Sequence, residues 1–171
     1  KSPEYTIPST TTTIGSFAFY YDLHLMKIII PASVKSIGDT SFVGGRRLTK
    51  LVVDPDNPFY TSIDGILYTK NIDTLVCLPH NTFLTAFSIP STVVSIASCA
   101  CYNCHRLNVI HIPSSVKSIG KCAFSNCPDL NLDPPPELES VLKTEFFCKN
   151  SKNNLVIPST FTSISKNDFP R

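Results

Sequence analysis

The tetrapeptide Ile-Pro-Ser/Ala-Ser/Thr occurs five times, beginning at residues 7, 30, 89, 112 and 157. The intervals are 23, 59, 23 and 45 residues, and the last divides into 22 plus 23 if Pro134-Pro135 opens a degenerate copy. In that register the fifth position holds Val34, Val93, Val116, Leu138 and Phe161, with Thr11 the exception. The eighth holds Ile14, Ile37, Ile96, Ile119, Val141 and Ile164, and the thirteenth Phe19, Phe42, Cys101, Phe124, Phe146 and Phe169. A unit this short cannot close a core by itself. Its apolar positions are covered only when neighbouring units stack above and below it, so the period predicts a solenoid.

Each part of the unit carries a local expectation. The β-branched, alternating segment before each Ile-Pro reads as a short strand, and the proline ends the ladder because it has no N–H to donate. The Ser-Val-x-Ser-Ile stretch alternates again and predicts a second short ladder. Gly15, Gly38 and Gly120 are expected to permit a sharp turn into a helical turn that carries the Ala-Phe pair. Stacking such coils at the strand spacing of about 4.8 Å gives a right-handed solenoid, mainly β with short helical turns, with a parallel sheet on one face. The serines of the Ile-Pro-Ser turn are expected to hydrogen-bond backbone at the corner.

The consensus I-P-x-S-V-x-S-I-G-x-x-A-F-x-x-C-x-x-L-x-x-I resembles the leucine-rich repeat of the BspA-like (Treponema-type) family, found in surface proteins of anaerobic bacteria and parasitic protists. The resemblance covers residues 7–171, with Cys101 in place of a phenylalanine and Pro134 in place of an isoleucine. It implies a single leucine-rich-repeat domain over 1–171, with repeats opening near 7, 30, 89, 112, 134 and 157. The chain is expected to be part of a longer one, because it stops within the last repeat without a polar cap. Uncapped ends would favour self-association.

Residues 53–88 interrupt the period. Asp64-Gly65 between Tyr60-Thr-Ser-Ile and Ile66-Leu-Tyr-Thr is a strong hairpin signal, and a second turn at 70–73 leads into Leu75-Val-Cys-Leu78. These features predict a β-meander inserted in the stack. The resemblance implies the same, since the family's repeats are accompanied by a D-x-x-N-P-x-Y…D-G-x-L-Y pattern. Asp54, Asp56 and Asp64 lack the spacing and bidentate glutamate of a calcium loop and are read as turn residues.

Chemistry has few footholds in this chain. The formal charge is +2, with Arg46-Arg47 the densest basic pair, which gives no footprint for nucleic acid. No apolar run approaches the ~18 residues of a membrane span. Residues 99–105, CACYNCH, contain the C-x-x-C-H spacing of covalent haem attachment and half the ligands of a zinc site. In phase, however, Cys99 and Cys122 share the eleventh position, Cys104 and Cys127 the sixteenth, and Cys101 stands in for phenylalanine. The period alone therefore accounts for the cluster, and no cofactor or metal is assigned. Same-phase cysteines lie one coil apart, so Cys99–Cys122 and Cys104–Cys127 are candidate bridges, with free thiols as small apolar fillers the favoured reading. His24, His80, His105 and His111 fall in different phases, and no nucleophile or phosphate-loop motif occurs. No enzyme is expected.

What remains is surface. Residues between the buried positions of each strand should face outward: Lys27 and Ile29, Lys50 and Val52, Val109 and His111, Asn131 and Asp133, Asn154 and Val156. This row is the candidate protein-binding face. Phe59, Tyr60 and Tyr68 of the insert are the second candidate contacts. The family resemblance implies a cell-surface adhesion module that binds extracellular-matrix or host proteins. An intracellular scaffold is the alternative, and free thiols would suit it.

Overall fold

The structure, a computed structural model, describes residues 2–133, so the repeats opening at 134 and 157 lie outside the described residues. Three ladders run along the stack. The first is built from the segments at the Ile-Pro phase: β1 (Glu4–Thr6), β3 (Lys27–Ile30) and β5 (Lys50–Val53), the last running into Asp54-Pro55, form one parallel sheet. The corresponding segments β9 (Ala86–Ser88), β11 (Val109–His111) and β13 (Asn131–Asp133) form another. The second ladder comes from Ser-Ile. It pairs β2 (Thr13–Ile14) with β4 (Ser36–Ile37), and β10 (Ser95–Ile96) with β12 (Ser118–Ile119). The third consists of single backbone bonds from the Ala-Phe segment, such as Phe19 N–H to Ser41 O at 2.8 Å and Cys101 N–H to Ala123 O at 2.7 Å.

The expected helical turn does not form; among the described residues there is no helix. Instead the Ala-Phe segment runs through hydrogen-bonded turns punctuated by left-handed residues. Phe17, Cys99 and Cys122 adopt φ near +60° at the eleventh position (64°, 57° and 55°). The fifteenth position does the same at Tyr21, Gly44, Asn103 and Asn126. A left-handed residue at both places reverses the chain before a helix can propagate. Asparagine tolerates that conformation, and Asn126 Nδ2 donates to Asn103 Oδ1 of the coil before.

The conserved phase of the glycines also has a different cause. Gly15, Gly38 and Gly120 do not have positive φ. A Cβ on Gly120 would lie 2.3 Å from Ser98 N, and one on Gly38 would lie 2.6 Å from Ser16 N. Close backbone approach between coils, rather than turn geometry, demands glycine there.

The insert folds as an antiparallel meander. β6 (Tyr60–Ile63) pairs with β7 (Ile66–Thr69) through Asp64 at φ 53° and Gly65 at φ 85°, the two left-handed residues of a type I′ turn. β7 pairs with β8 (Thr74–Cys77), which rejoins the second ladder in parallel with β10. β7 is buried on both faces and separates two cores. Leu67 packs with Ile28, Ile30, Leu51 and Phe42 on one side, while Ile66 and Tyr68 pack with Phe87, Leu107 and Ile110 on the other.

Candidate functional site

The strand segments alternate as the period requires. In β3, Ile28 and Ile30 are buried while Lys27 and Ile29 face outward, half-buried. In β5, Leu51 and Val53 are buried, Lys50 is exposed and Val52 half-buried. Parallel register places Glu4, Lys27 and Lys50 side by side, with Thr6, Ile29 and Val52 beside them. Glu4 and Lys27 form an ion pair at 3.3 Å. The stem of Lys50 packs under the hairpin tip, where a Cβ on Gly65 would come within 2.9 Å of its Cγ. An open cleft of about 490 Å³ lies against this row, bordered by Pro3, Glu4, Met26, Lys27, Lys50 and Val52.

The row is not continuous. The free edge of β5 is closed by the hairpin, with Leu51 N–H donating to Gly65 O at 2.9 Å and Val53 N–H to Ser62 Oγ at 3.0 Å. In the second sheet, register aligns Ala86 with Val109 and Asn131, and Ser88 with His111 and Asp133, as a separate group. Of these, His111 and Asn131 are exposed and Val109 half-buried. Asn154 and Val156 lie outside the described residues. The structure thus gathers Lys27, Ile29, Lys50 and Val52 at one place and Val109, His111, Asn131 and Asp133 at another.

The insert contacts need correction. Tyr68 is 2% exposed, and burial pushes its hydroxyl up to about 12, so it is a core residue of a strand covered on both faces. Tyr60 is half-buried and its hydroxyl accepts the Ile37 N–H at 3.1 Å, which docks the meander on β4. Phe59 alone of the three is exposed, at 45%. Sequence reasoning missed Pro3, Glu4 and Met26 at the cleft and Ala86 and Ser88 on the second face. Glu-Tyr-Thr before the first Ile-Pro and Ala-Phe-Ser before Ile89-Pro90 stand in the strand phase, which would have found β1 and β9.

Of the CACYNCH cluster, Cys101 and Cys104 are fully buried and His105 is exposed. Among the described residues, no three His, Cys, Asp or Glu side chains are placed to hold a metal ion. Cys77, Cys99, Cys101 and Cys104 carry free thiols, whereas Cys122 is disulfide-bonded. The candidate Cys99–Cys122 bridge is therefore not made. Cys104 and Cys127 do touch, as thiols sharing a hydrogen bond, which holds Cys127 below and Cys104 above the ordinary thiol range.

The alternating ladders, the Ile-Pro corners and the Asp-Gly meander agree with a family model, the BspA type leucine rich repeat region, which matches in six copies over residues 1–76 and 76–171. The chain belongs to the BspA-type leucine-rich-repeat family. Solved structures of similar repeats include a leucine-rich repeat protein from Eubacterium ventriosum (28% identity, TM-score 0.69), covering 77% of this chain and 41% of that one. A leucine rich cell surface protein from Faecalibacterium prausnitzii is 35% identical (TM-score 0.66), with 73% and 33% of the two chains covered. The pneumococcal vaccine antigen PcpA is 25% identical (TM-score 0.69), with 71% and 31% covered. This BspA-type chain thus spans about a third to two fifths of these structures' lengths. No curated protein matches it.

Proposed function

We propose that this BspA-type repeat chain is a non-enzymatic recognition module that binds protein through the outward face of its first ladder, and that it acts at a cell surface on matrix or host proteins. The observation that carries this reading is the row at the cleft, where two lysines in register flank half-buried Ile29 and Val52. Such a mixture of charge and desolvatable apolar surface suits a protein partner better than a solvated face would require. The surface setting is supported by the Faecalibacterium cell surface protein and by the pneumococcal antigen, both similar in fold. The buried thiols of Cys77, Cys101, Cys104 and Cys127 favour the second reading, an intracellular scaffold that uses the same face. Binding of the chain to immobilised matrix proteins tests the first. It should fall when Lys27, Lys50 and His111 are replaced by alanine together, and unchanged binding removes the strand-face reading.

A further inference from the structure

Interruption of the first ladder by the meander leaves a strand edge in the middle of the solenoid to which no other described strand pairs. β9 bonds to β11 on one side, with Val109 N–H donating to Thr85 O and Ile89 N–H to His111 O, each at 3.1 Å. In a parallel pair the residues alternate, so Phe87 shares that side while the N–H and C=O of Ala86 and Ser88 point the other way. Among the described residues no other strand pairs with β9, and both Ala86 and Ser88 are exposed. The facing edge of β5 is occupied by Gly65 O and Ser62 Oγ.

Folded proteins protect free edges with lysine, proline, a bulge or a covering segment. β1 carries Glu4 after Pro3, and β5 carries Lys50 under its hairpin. Thr85-Ala86-Phe87-Ser88 contains no lysine or proline, and among the described residues no strand covers its outer edge. Next to it stand Phe83, 69% exposed, and Leu84, 36% exposed. The Arg106 guanidinium lies 5.1 Å over the Phe83 ring and fixes it as a presented anchor.

We infer that β9 is a docking strand, on which an extended segment of a partner protein adds to the free edge and pairs with Ala86 and Ser88 while an apolar side chain rests on Phe83 and Leu84. Donors and acceptors repeating every two residues, about 6.6 Å apart, are the complement of another β-strand. The inference rests on the protein-binding reading above and specifies its place and mode.

A random heptapeptide library displayed on phage, panned on the chain, supplies the probe. Enriched peptides are then titrated against wild type, Ser88→Pro, and the triple alanine variant of Lys27, Lys50 and His111. Proline at 88 removes an N–H the fold does not use and should weaken binding about tenfold or more, comparable to one or two lost hydrogen bonds. The triple variant should bind as wild type does. Independently of any variant's folding, hydrogen exchange on wild type should find Ala86 and Ser88 amides fast when free and slowed about tenfold under saturating peptide. Phe87 and Ile89 should be protected in both states. Failure to enrich peptides, or peptide binding without slowing at residues 86 and 88, overturns the docking strand. Peptides lost from the triple variant but retained by Ser88→Pro also overturn it, while leaving the broader face reading in place.

Discussion

Asn57 is the side chain on which the meander's attachment turns. It is fully buried and uses all four of its hydrogen-bonding positions. Nδ2 donates to Pro31 O and to Val34 O, both at 2.9 Å, across to the coil before. Oδ1 accepts the Phe59 and Tyr60 N–H groups, both at 2.8 Å, at the start of the meander. Replacing it by alanine strands the Val34 carbonyl and the Phe59 and Tyr60 N–H groups, while Pro31 O keeps the Val34 N–H at 3.2 Å. A net hydrogen bond is worth about 1 kcal/mol, and a buried group left unsatisfied costs up to about 3. Val34 is fully buried, so its carbonyl bears most of that cost, whereas Phe59 is exposed and water can serve its N–H. A loss of roughly 3–4 kcal/mol follows. For a chain of this size each kcal/mol moves Tm by about 2–4 °C, giving a drop of roughly 6–16 °C. Asn57→Asp keeps the acceptor but aims a carboxylate oxygen at two carbonyls, so at pH 7 it should lose at least as much as Asn57→Ala. The chain has no tryptophan, so urea unfolding is followed by circular dichroism and tyrosine fluorescence together. Because the bonds join one coil to the next, the two signals should also separate in the variants as coupling between neighbours weakens. A loss below about 1 kcal/mol for Asn57→Ala, or an aspartate variant as stable as wild type, would refute the claim that these four bonds hold the meander.

Two further predictions concern His80 and the glycines. His80 is 4% exposed, and burial first, then the neighbouring His105, lowers its pKa to about 4. Its Nδ1 accepts the Gly44 N–H at 3.2 Å, which leaves the Nε2 proton buried without a partner. The folded state therefore holds the neutral ring while the unfolded chain takes up a proton near 6.5. Stability should be full above pH 6.5, fall between 6.5 and 4 by about 3 kcal/mol, and level off below. Urea unfolding across that range measures it, and His80→Gln should flatten this part of the profile. Gly120→Ala should cost about 2–3 kcal/mol because its methyl meets the Ser98 backbone, whereas Gly15→Ala, with nothing within 4 Å, should be neutral within about 0.5 kcal/mol. Equal effects at the two sites in thermal unfolding would contradict the close-approach explanation.

The period made the ladders legible because a repeat converts sequence phase directly into register. Lys27 stands beside Lys50 and Ile96 beside Ile119, each pair 23 residues apart. The Asp-Gly dipeptide was equally readable, since two adjacent left-handed residues specify one turn. Departures arose where a distant part of the chain decides the outcome. Tyr68 sits on an alternating strand and looks half-exposed in sequence, yet it is covered by the core it shares with Phe87, Leu107 and Ile110 on a strand flanked by β8. The division of the first ladder depends on how far the hairpin folds back, a matter settled by Gly65 O reaching Leu51 N–H. Gly38 and Gly120 looked like turn residues because the backbone they approach belongs to the preceding coil.

The cysteines illustrate the same limit and show why a cofactor-like spelling arises in a repeat. Cys104 Sγ donates to Leu78 O at 3.9 Å, and Cys127 Sγ to Cys101 O at 3.0 Å, in both cases across 26 residues. Twenty-six is one period plus three, so the thiol at position sixteen serves the carbonyl at position thirteen of the coil before. Ser41 Oγ makes the equivalent reach to Gly15 O at 2.9 Å, and Asn57 to Pro31 O. The Ile-Pro-Ser corners do likewise one residue short of the period, with Ser33 Oγ on Thr11 O and Ser115 Oγ on Val93 O, both at 2.7 Å. A stacked coil needs donors that point backwards along the axis, and deep in the core cysteine is small and apolar enough to stay buried while supplying a weak one. Cys101 then fills the place of a phenylalanine, three positions before Cys104. C-x-x-C here is the separation of a core position from a carbonyl-serving position. Cys104 and Cys127 touch, yet among the described residues no third His, Cys, Asp or Glu side chain joins them as a metal site would require.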